Sequence, residues 1–136
     1  MKVIGIIPAR YSSSRFLGKP LANILGKSMI QRVYEQCKKC TLLDDVVVAT
    51  DDKRIYNHVL EFGGKIMMTS TTHQSGTDRC NEVIQNIEGQ YDIAINIQGD
   101  EPFINPKQID QVISLFNSDK VSIATLAKKI EDEALM

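Results

Sequence analysis

Several features that would assign this chain to a particular class of protein are missing from its sequence. No apolar run approaches the roughly 20 residues that a membrane-spanning helix needs. The apolar start at residues 3–7 turns polar too soon for a secretory signal peptide. The 136 residues carry 16 cationic and 17 acidic side chains, a net charge of −1. Nucleic-acid binders usually have a broad basic surplus, so we expect no nucleic-acid or membrane partner and a cytoplasmic location.

The sequence also lacks the residues for a zinc or redox centre. Its three cysteines are Cys37, Cys40 and Cys80, and the first two have the C-x-x-C spacing of such centres. A zinc site would need a second pair of ligands, and the remaining candidates are widely spread. A redox pair gains its low thiol pKa at a helix N-terminus, whereas this pair lies near the end of a predicted helix. We therefore interpret the thiols as helix-packing or surface groups.

Two common nucleotide-binding signatures and the usual nucleophile motifs are absent too. There is no Walker A pattern and no G-x-G-x-x-G dinucleotide fingerprint. Neither histidine pairs with a recognisable nucleophile motif, so a catalytic triad is not indicated. If the chain binds phosphate, it must do so with side chains as well as backbone amides. The chemistry left open is phosphoryl-type transfer, which depends on positioning and charge neutralisation.

What the sequence does contain is a regular alternation of strands and helices. Apolar runs predict strands, and apolar residues at helical spacing predict helices between them. This pattern predicts one α/β domain over residues 1–136, with a doubly wound, mostly parallel sheet, helices on both faces and right-handed crossovers. The predicted strands are residues 2–7, 45–50, 65–68, 91–97 and 121–126. The predicted helices are residues 28–40, 53–62 and 76–87, and a fourth that starts at Pro106. The buried face of this fourth helix is predicted to consist of Ile109, Val112, Ile113 and Phe116.

The loop after the first predicted strand holds three cations. They are Arg10, Arg15 and Lys19, and no acidic residue lies between them. In open α/β sheets, ligands bind at the carboxyl ends of the strands. A guanidinium such as that of Arg15 grips two phosphate oxygens at once, whereas an ammonium acts as a mobile point charge. We interpret the loop as a phosphate-binding site, and the alternative is a solvated surface loop.

A carboxylate follows the fourth predicted strand. Asp100 comes after an apolar run and shortly before Pro102. Such a carboxylate can hold Mg²⁺, which keeps several waters and bridges substrate phosphates. It can equally form an Asx turn. The cationic loop at the same edge of the sheet favours the metal site.

The segment before the third predicted helix combines a capping signature with a cation. Ser75 and Asp78 form the cap, and a helix N-terminus is a natural anion site. Arg79 in the first turn opposes the helix dipole unless a ligand balances its charge. That mismatch favours a functional role for Arg79. His73 is interpreted as a loop hydrogen-bonding residue, and Asp51 as a helix-start residue with a ligand role as the alternative.

Four segments together resemble one family, the CMP-Kdo synthetases (3-deoxy-manno-octulosonate cytidylyltransferases). The first segment alone is also similar to cytidylyltransferases for sialic acid and to other nucleotidyltransferases. The third and fourth segments, in this order, favour the Kdo enzymes. The segments are residues 7–21 with IPARY and GKPL at their ends, 48–51 (VATD), 73–79 (HQSGTDR) and 96–102 (NIQGDEP).

The resemblance implies transfer of CMP from CTP to 3-deoxy-D-manno-octulosonate (Kdo), with release of pyrophosphate, Mg²⁺ as cofactor and a role in lipopolysaccharide biosynthesis. It implies that Lys19, Arg15 and Asp100 are catalytic and that Asp100 holds the metal. Gln98 would approach the sugar. The implied nucleotide-binding set is Arg10, Ser14, Arg15 and Lys19 on the phosphate side, Gln74, Ser75, Gly76 and Arg79 on the nucleoside side, and Gln98.

Members of this family continue for roughly as many residues again, and they are homodimers. The resemblance therefore predicts that the chain is the amino-terminal portion of a longer enzyme, inactive alone, with most sugar contacts and a second metal ligand elsewhere. Two other functions stay open. One is a non-catalytic CTP-binding module, and the other is a cytidylyltransferase for another sugar acid such as sialic acid.

Overall fold

The computed structural model describes residues 2–12, 17–72, 75–87, 91–99, 101–115 and 122–125. Strands and helices alternate along them, as the sequence predicts. In chain order the elements are β1 (Val3–Ala9), a 3₁₀ turn (Lys19–Leu21), β2 (Asn23–Ile24), β3 (Lys27–Ser28), α1 (Met29–Lys38), β4 (Asp45–Thr50), α2 (Lys53–Glu61), β5 (Ile66–Met68), α3 (Gly76–Asn86), β6 (Ile93–Asn96), α4 (Pro106–Ser114) and β7 (Ser122–Thr125).

Five strands form one sheet in the order β5-β4-β1-β6-β7, and every neighbouring pair is parallel. The chain starts in the middle at β1, moves outwards through β4 to β5, and then crosses to β6 on the other side of β1. The direction of winding therefore reverses between β1 and β6. In doubly wound folds the crevice at this switch point, outside the carboxyl ends of the strands, is where ligands bind.

Helices cover both faces of the sheet, which confirms the predicted doubly wound architecture. On one face, α1, α2 and α4 bury apolar residues such as Ile30, Val59 and Ile113 against the sheet. On the other face, α3 buries Cys80 and Val83. Because both faces are covered, β1 is buried along nearly its whole length. None of the described helices has the length and apolar character needed to cross a membrane.

The last crossover corrects one prediction. The connections through α1 and α2 step towards β5 on one face, and the connection through α3 steps back on the other face, so these three share one hand. The helix α4 lies beside α1, where Gln36 Nε2 donates to the carbonyl of Ile104 at 2.8 Å. It nevertheless connects β6 to β7, a step across the sheet in the same direction as the step made through α3 on the other face. The fourth crossover therefore has the opposite hand to the first three. The prediction that all four crossovers are right-handed is wrong.

Side chains cap the helices at the positions that the sequence indicates. Ser28 Oγ accepts from the Gln31 N–H at 3.2 Å at the start of α1. Ser75 Oγ accepts from the Asp78 N–H at 3.1 Å at the start of α3. Each cap supplies an acceptor for a backbone donor that has no partner inside the helix. Predicted helix starts therefore lie within one residue of the observed ones.

A short hairpin formed by β2 and β3 was not predicted. Its turn consists of Leu25 and Gly26, both with positive φ (53° and 96°). The turn is held by Asn23 Oδ1, which accepts from the Gly26 N–H at 3.0 Å, and by Arg32, which donates to the carbonyls of Ile24 and Leu25. Leucine is unfavourable in this conformation, and Leu25 is 84% exposed. Its strain is therefore not balanced by burial of the side chain.

Substitution Leu25→Asn is expected to stabilise the protein by about 1 kcal/mol, because asparagine tolerates the left-handed conformation and favours such turns before glycine. Urea unfolding measures this change. Leu25→Ala is the control, since it removes the same exposed side chain but keeps the unfavourable φ, and it is expected to leave stability unchanged within about 0.5 kcal/mol. Equal stability of the Asn and Ala variants would contradict the prediction.

The three cysteines are packing residues. Cys37, Cys40 and Cys80 are all buried and free of disulfides. Burial raises the pKa of the Cys37 thiol strongly, and it raises the pKa of Cys40 and of Cys80 to about 12. Low thiolate content and lack of access are the opposite of what a redox pair needs. The structure thus supports the packing interpretation of the C-x-x-C spacing.

All three thiols of the folded protein are expected to resist alkylation by iodoacetamide at pH 8. A pKa of about 12 leaves about one thiolate in 10⁴ at that pH, and the thiolate is the reactive form. Mass spectrometry of the native protein should show no adduct within the time in which the urea-unfolded protein gains three. Rapid labelling of Cys40 in the folded protein would contradict this expectation.

Candidate functional site

Three of the four segments singled out in the sequence meet at Pro8, near the carboxyl end of β1. A Cβ atom placed on Gly76, in the first turn of α3, would lie 3.1 Å from Pro8 Cγ. A Cβ atom placed on Gly99, just after β6, would lie 3.2 Å from the carbonyl oxygen of Pro8. Glycine is therefore what lets both segments approach β1 so closely. Their meeting point is the crevice between β1 and β6.

The cationic loop is closed at its base. The Gly18 N–H donates to the carbonyl of Tyr11 at 2.6 Å, and Ser12 and Leu17 form an antiparallel bridge. Gly18 has φ 70°, and a Cβ atom there would lie 2.9 Å from the Tyr11 ring, so this position requires glycine. Arg10 immediately precedes Tyr11 in the sequence, and Lys19 immediately follows Gly18. The fold therefore holds both cations at the base of one loop.

Six of the predicted site residues lie in the described regions, and five of them, all except Arg79, are at least partly exposed. Arg10 and Ser75 are exposed, while Lys19, Gly76 and Gln98 are partly buried. These exposures leave each of them accessible to a ligand. The predicted residues Ser14, Arg15, Gln74 and Asp100, together with His73, lie outside the described residues, and their roles stay predictions.

Arg79 is buried, with 1% of its surface exposed. Its Nη2 pairs with Asp51 Oδ2 at 3.2 Å. Its Nη1 donates to Thr69 Oγ1 and to the carbonyl of Ser70, and its Nε has no partner among the described residues. The sequence argument took the dipole mismatch of this cation as a sign of a ligand, but the carboxylate of Asp51 already balances its charge. Asp51 was assigned a ligand role only as an alternative, and the structure gives it this ion pair.

The contacts of Arg79 connect three elements. Asp51 follows β4, Thr69 and Ser70 follow β5, and Arg79 itself lies one turn after the cap of α3. A buried guanidinium that is paired and hydrogen-bonded fixes the elements that supply its partners. The first turn of α3, with Ser75 and Gly76, is thereby fixed relative to the edge of the sheet.

A second arginine near the site was missed in the sequence. The guanidinium of Arg54, in the first turn of α2, lies over the ring of Tyr11, with 3.2 Å between Cζ and the ring centroid. It also donates to both carboxylate oxygens of Asp52, at 3.2 Å and 2.8 Å. This pairing lowers the pKa of Asp52 and raises that of Arg54. A cation in the first turn of a helix was the available signal, but nothing in the sequence links it to Tyr11.

The described residues contain no group of three or more histidine, cysteine or acidic side chains that could hold a metal ion. Mg²⁺ does not require such a group, since it is often bound by one or two carboxylates together with waters and substrate phosphates. The predicted ligand Asp100 follows Gly99, which is packed against Pro8 in the crevice. A magnesium site at Asp100, which lies outside the described residues, therefore stays a prediction, of the kind in which waters and phosphates supply most of the ligands.

Comparison with known proteins assigns this arrangement to a family. A protein of Parabacteroides distasonis named 3-deoxy-manno-octulosonate cytidylyltransferase is 58% identical over 133 residues, which are 98% of this chain and 52% of that protein. A protein of the same name from Bacteroides thetaiotaomicron is 56% identical over 128 residues, 94% of this chain and 50% of that protein. The chain spans about half the length of these relatives. They confirm the resemblance found in the sequence.

Known structures and family models agree with these relatives. A solved structure of CMP:2-keto-3-deoxy-manno-octonic acid synthetase complexed with CTP superposes with a TM-score of 0.80 at 49% identity, covering 84% of this chain and 46% of that one. The family model described as cytidylyltransferase matches residues 4–136. The chain therefore belongs to the cytidylyltransferase family.

Proposed function

We propose that this chain binds CTP in the crevice between β1 and β6 and forms the nucleotide-binding part of a 3-deoxy-manno-octulosonate cytidylyltransferase. The observation that carries the proposal is the meeting of three segments at Pro8. The cationic loop, the start of α3 and the end of β6 are brought there by the close approaches of Gly76 and Gly99. The similar structure solved with CTP supports the choice of nucleotide.

The phosphates of CTP are assigned to the cationic loop. Arg10 and Lys19 lie at its base, and Ser14 and Arg15 follow within the loop sequence. In the proposed reaction the anomeric hydroxyl of Kdo attacks the α-phosphorus in line, and pyrophosphate leaves. Such transfers depend on positioning and on neutralising the charge of the phosphoryl oxygens. The three cations of the loop, Arg10, Arg15 and Lys19, are suited to both tasks. We assign the catalytic roles to Arg15 and Lys19.

The nucleoside side of CTP is assigned to the start of α3. Ser75, Gly76 and the preceding Gln74 would line it, and Gln98 would approach the sugar acid. Backbone N–H groups at a helix N-terminus also favour the negative charge of the nucleotide. Arg79 serves this side indirectly, because it is buried and holds Ser75 and Gly76 in place through its contacts.

A magnesium ion is part of the proposal. Asp100 would hold it at the end of β6, opposite the cationic loop. When bound, Mg²⁺ neutralises phosphate charge and orients the triphosphate. The groups of this chain would then fix the phosphates around it. Homodimer formation of the full-length enzyme and a cytoplasmic location stay predictions.

A non-catalytic CTP-binding module is the second candidate. The chain spans about half the length of the relatives that it matches, and this favours nucleotide binding over complete turnover for the chain by itself. Addition of Kdo to the CTP complex separates the two candidates. Release of pyrophosphate supports the transferase, whereas CTP binding without pyrophosphate supports the module.

Isothermal titration of the chain with CTP and Mg²⁺ is expected to show binding, and Lys19→Ala is expected to weaken it roughly tenfold. Loss of one charge-assisted contact to phosphate typically costs about 1.5 kcal/mol or more. Lys38→Ala is the matched control, since Lys38 is an exposed lysine in the last turn of α1, and we expect unchanged affinity.

Absence of CTP binding at millimolar concentration would overturn the proposed site for this chain. Binding that Lys19→Ala leaves unchanged would remove Lys19 from it. Binding that is equally strong without Mg²⁺ would remove the metal from nucleotide recognition.

Substitution Asp51→Ala is expected to destabilise the protein by about 2 kcal/mol. It leaves the buried Arg79 without its counter-ion, and the cost is below that of a fully buried pair because Asp51 is 22% exposed. Urea unfolding measures the change. Asp78→Ala is the control, because Asp78 is an exposed carboxylate on α3, the helix that carries Arg79. Equal small effects of both substitutions would show that Arg79 does not need Asp51.

A further inference from the structure

Tyr11 closes the base of the cationic loop by packing against Gly18. Its carbonyl accepts from the Gly18 N–H at 2.6 Å, and its ring lies against the position where a side chain of Gly18 would be. Arg10 precedes Tyr11 and Lys19 follows Gly18. Any displacement of Tyr11 therefore moves the backbone that carries both cations.

The ring of Tyr11 is in turn held by α2. Arg54 places its guanidinium 3.2 Å from the ring centroid, a distance at which a cation is attracted to the ring face. Asp52, the N-cap of α2, binds two guanidinium nitrogens and so fixes the plane of the group. In addition, α2 packs against the 3₁₀ turn that begins at Lys19. Two separate contacts thus connect α2 to the base of the loop.

We propose that Arg54 is a positioning residue, which holds the base of the cationic loop in place through the ring of Tyr11. Its guanidinium contacts Asp52 and the ring of Tyr11, so we assign it this positioning role and not a direct contact to phosphate. The consequence for nucleotide binding rests on the proposed function. If the loop binds phosphates, loss of Arg54 weakens binding of CTP more than binding of CMP, since CMP has a single phosphate.

Amide hydrogen exchange at Gly18, followed by NMR, tests the positioning role without any nucleotide. Arg54→Gln and Tyr11→Leu are expected to speed exchange of this N–H about two- to fivefold, the factor that corresponds to a cation–π contact at an exposed site. Lys53→Gln removes a neighbouring exposed cation, and Tyr11→Phe keeps the ring. Both controls are expected to exchange at the wild-type rate.

Unchanged exchange at Gly18 in Arg54→Gln would overturn the positioning role, as would equal acceleration by Lys53→Gln. Arg54 is 59% exposed on its side chain, so Arg54→Gln leaves the core intact. If Tyr11→Leu does not fold, a comparison of Arg54→Gln with Arg54→Lys still tests the positioning role. Lysine restores the positive charge but cannot make the planar contact to Tyr11 and Asp52.

Titrations with CTP and CMP test the consequence for phosphate binding. Arg54→Gln is expected to lower CTP affinity by the same two- to fivefold factor and to leave CMP affinity nearly unchanged. Equal losses for both nucleotides would overturn the link to the phosphates. If the wild-type chain bound neither nucleotide, the proposed function would fail, and exchange at Gly18 would still decide the role of Arg54.

Discussion

The site depends on the point at which β1 stops pairing with β6. Their ladder ends with Ile6 opposite Asn96, whereas β1 stays paired with β4 as far as Ala9. Proline is normally excluded from a central strand because it cannot donate to the ladder. Pro8 is accommodated here because it lies beyond the last β6 pair. Just beyond that pair the Ile97 N–H donates to the carbonyl of Ile6 at 2.8 Å, and Gly99 and the start of α3 then lie against Pro8.

The electrostatic organisation of the site is centred on two adjacent aspartates at the end of β4. Asp51 pairs with Arg79 of α3, and Asp52 pairs with Arg54 of α2. Each arginine lies in the first turn of its helix, where the helix dipole disfavours a cation. The aspartates offset that cost, and in doing so they connect both helices to the same strand end. One arginine then fixes the start of α3, and the other contacts Tyr11 at the base of the cationic loop.

The sequence predicts the five strands of the main sheet to within two residues and the long-range pairings poorly. Residues 45–50 are found as β4 without any shift, because a short buried parallel strand is a continuous apolar run. The expected location of the site followed from that, since ligands bind at strand ends in such sheets. The partner of Arg79 could not be predicted, because a local argument about the helix dipole contains no information on Asp51. The hairpin was missed because its turn places a leucine at positive φ, against local preference. The hand of the last crossover depends on packing of α4 against α1, which no local pattern encodes.

Binding of the nucleotide and transfer of its CMP group make different demands on this fold. Nucleotide binding needs a phosphate-binding loop, a nucleoside side and a place for Mg²⁺, and the proposed residues for all three follow β1, β5 and β6. Transfer also needs the acceptor sugar to be held in line with the α-phosphorus, and Gln98 alone is assigned to it. Positioning dominates catalysis of phosphoryl transfer. If CTP binds as proposed, the sheet end at Pro8, together with Arg79 and Arg54, would supply the half of the positioning that concerns CTP, and the approach of the acceptor would determine whether transfer follows.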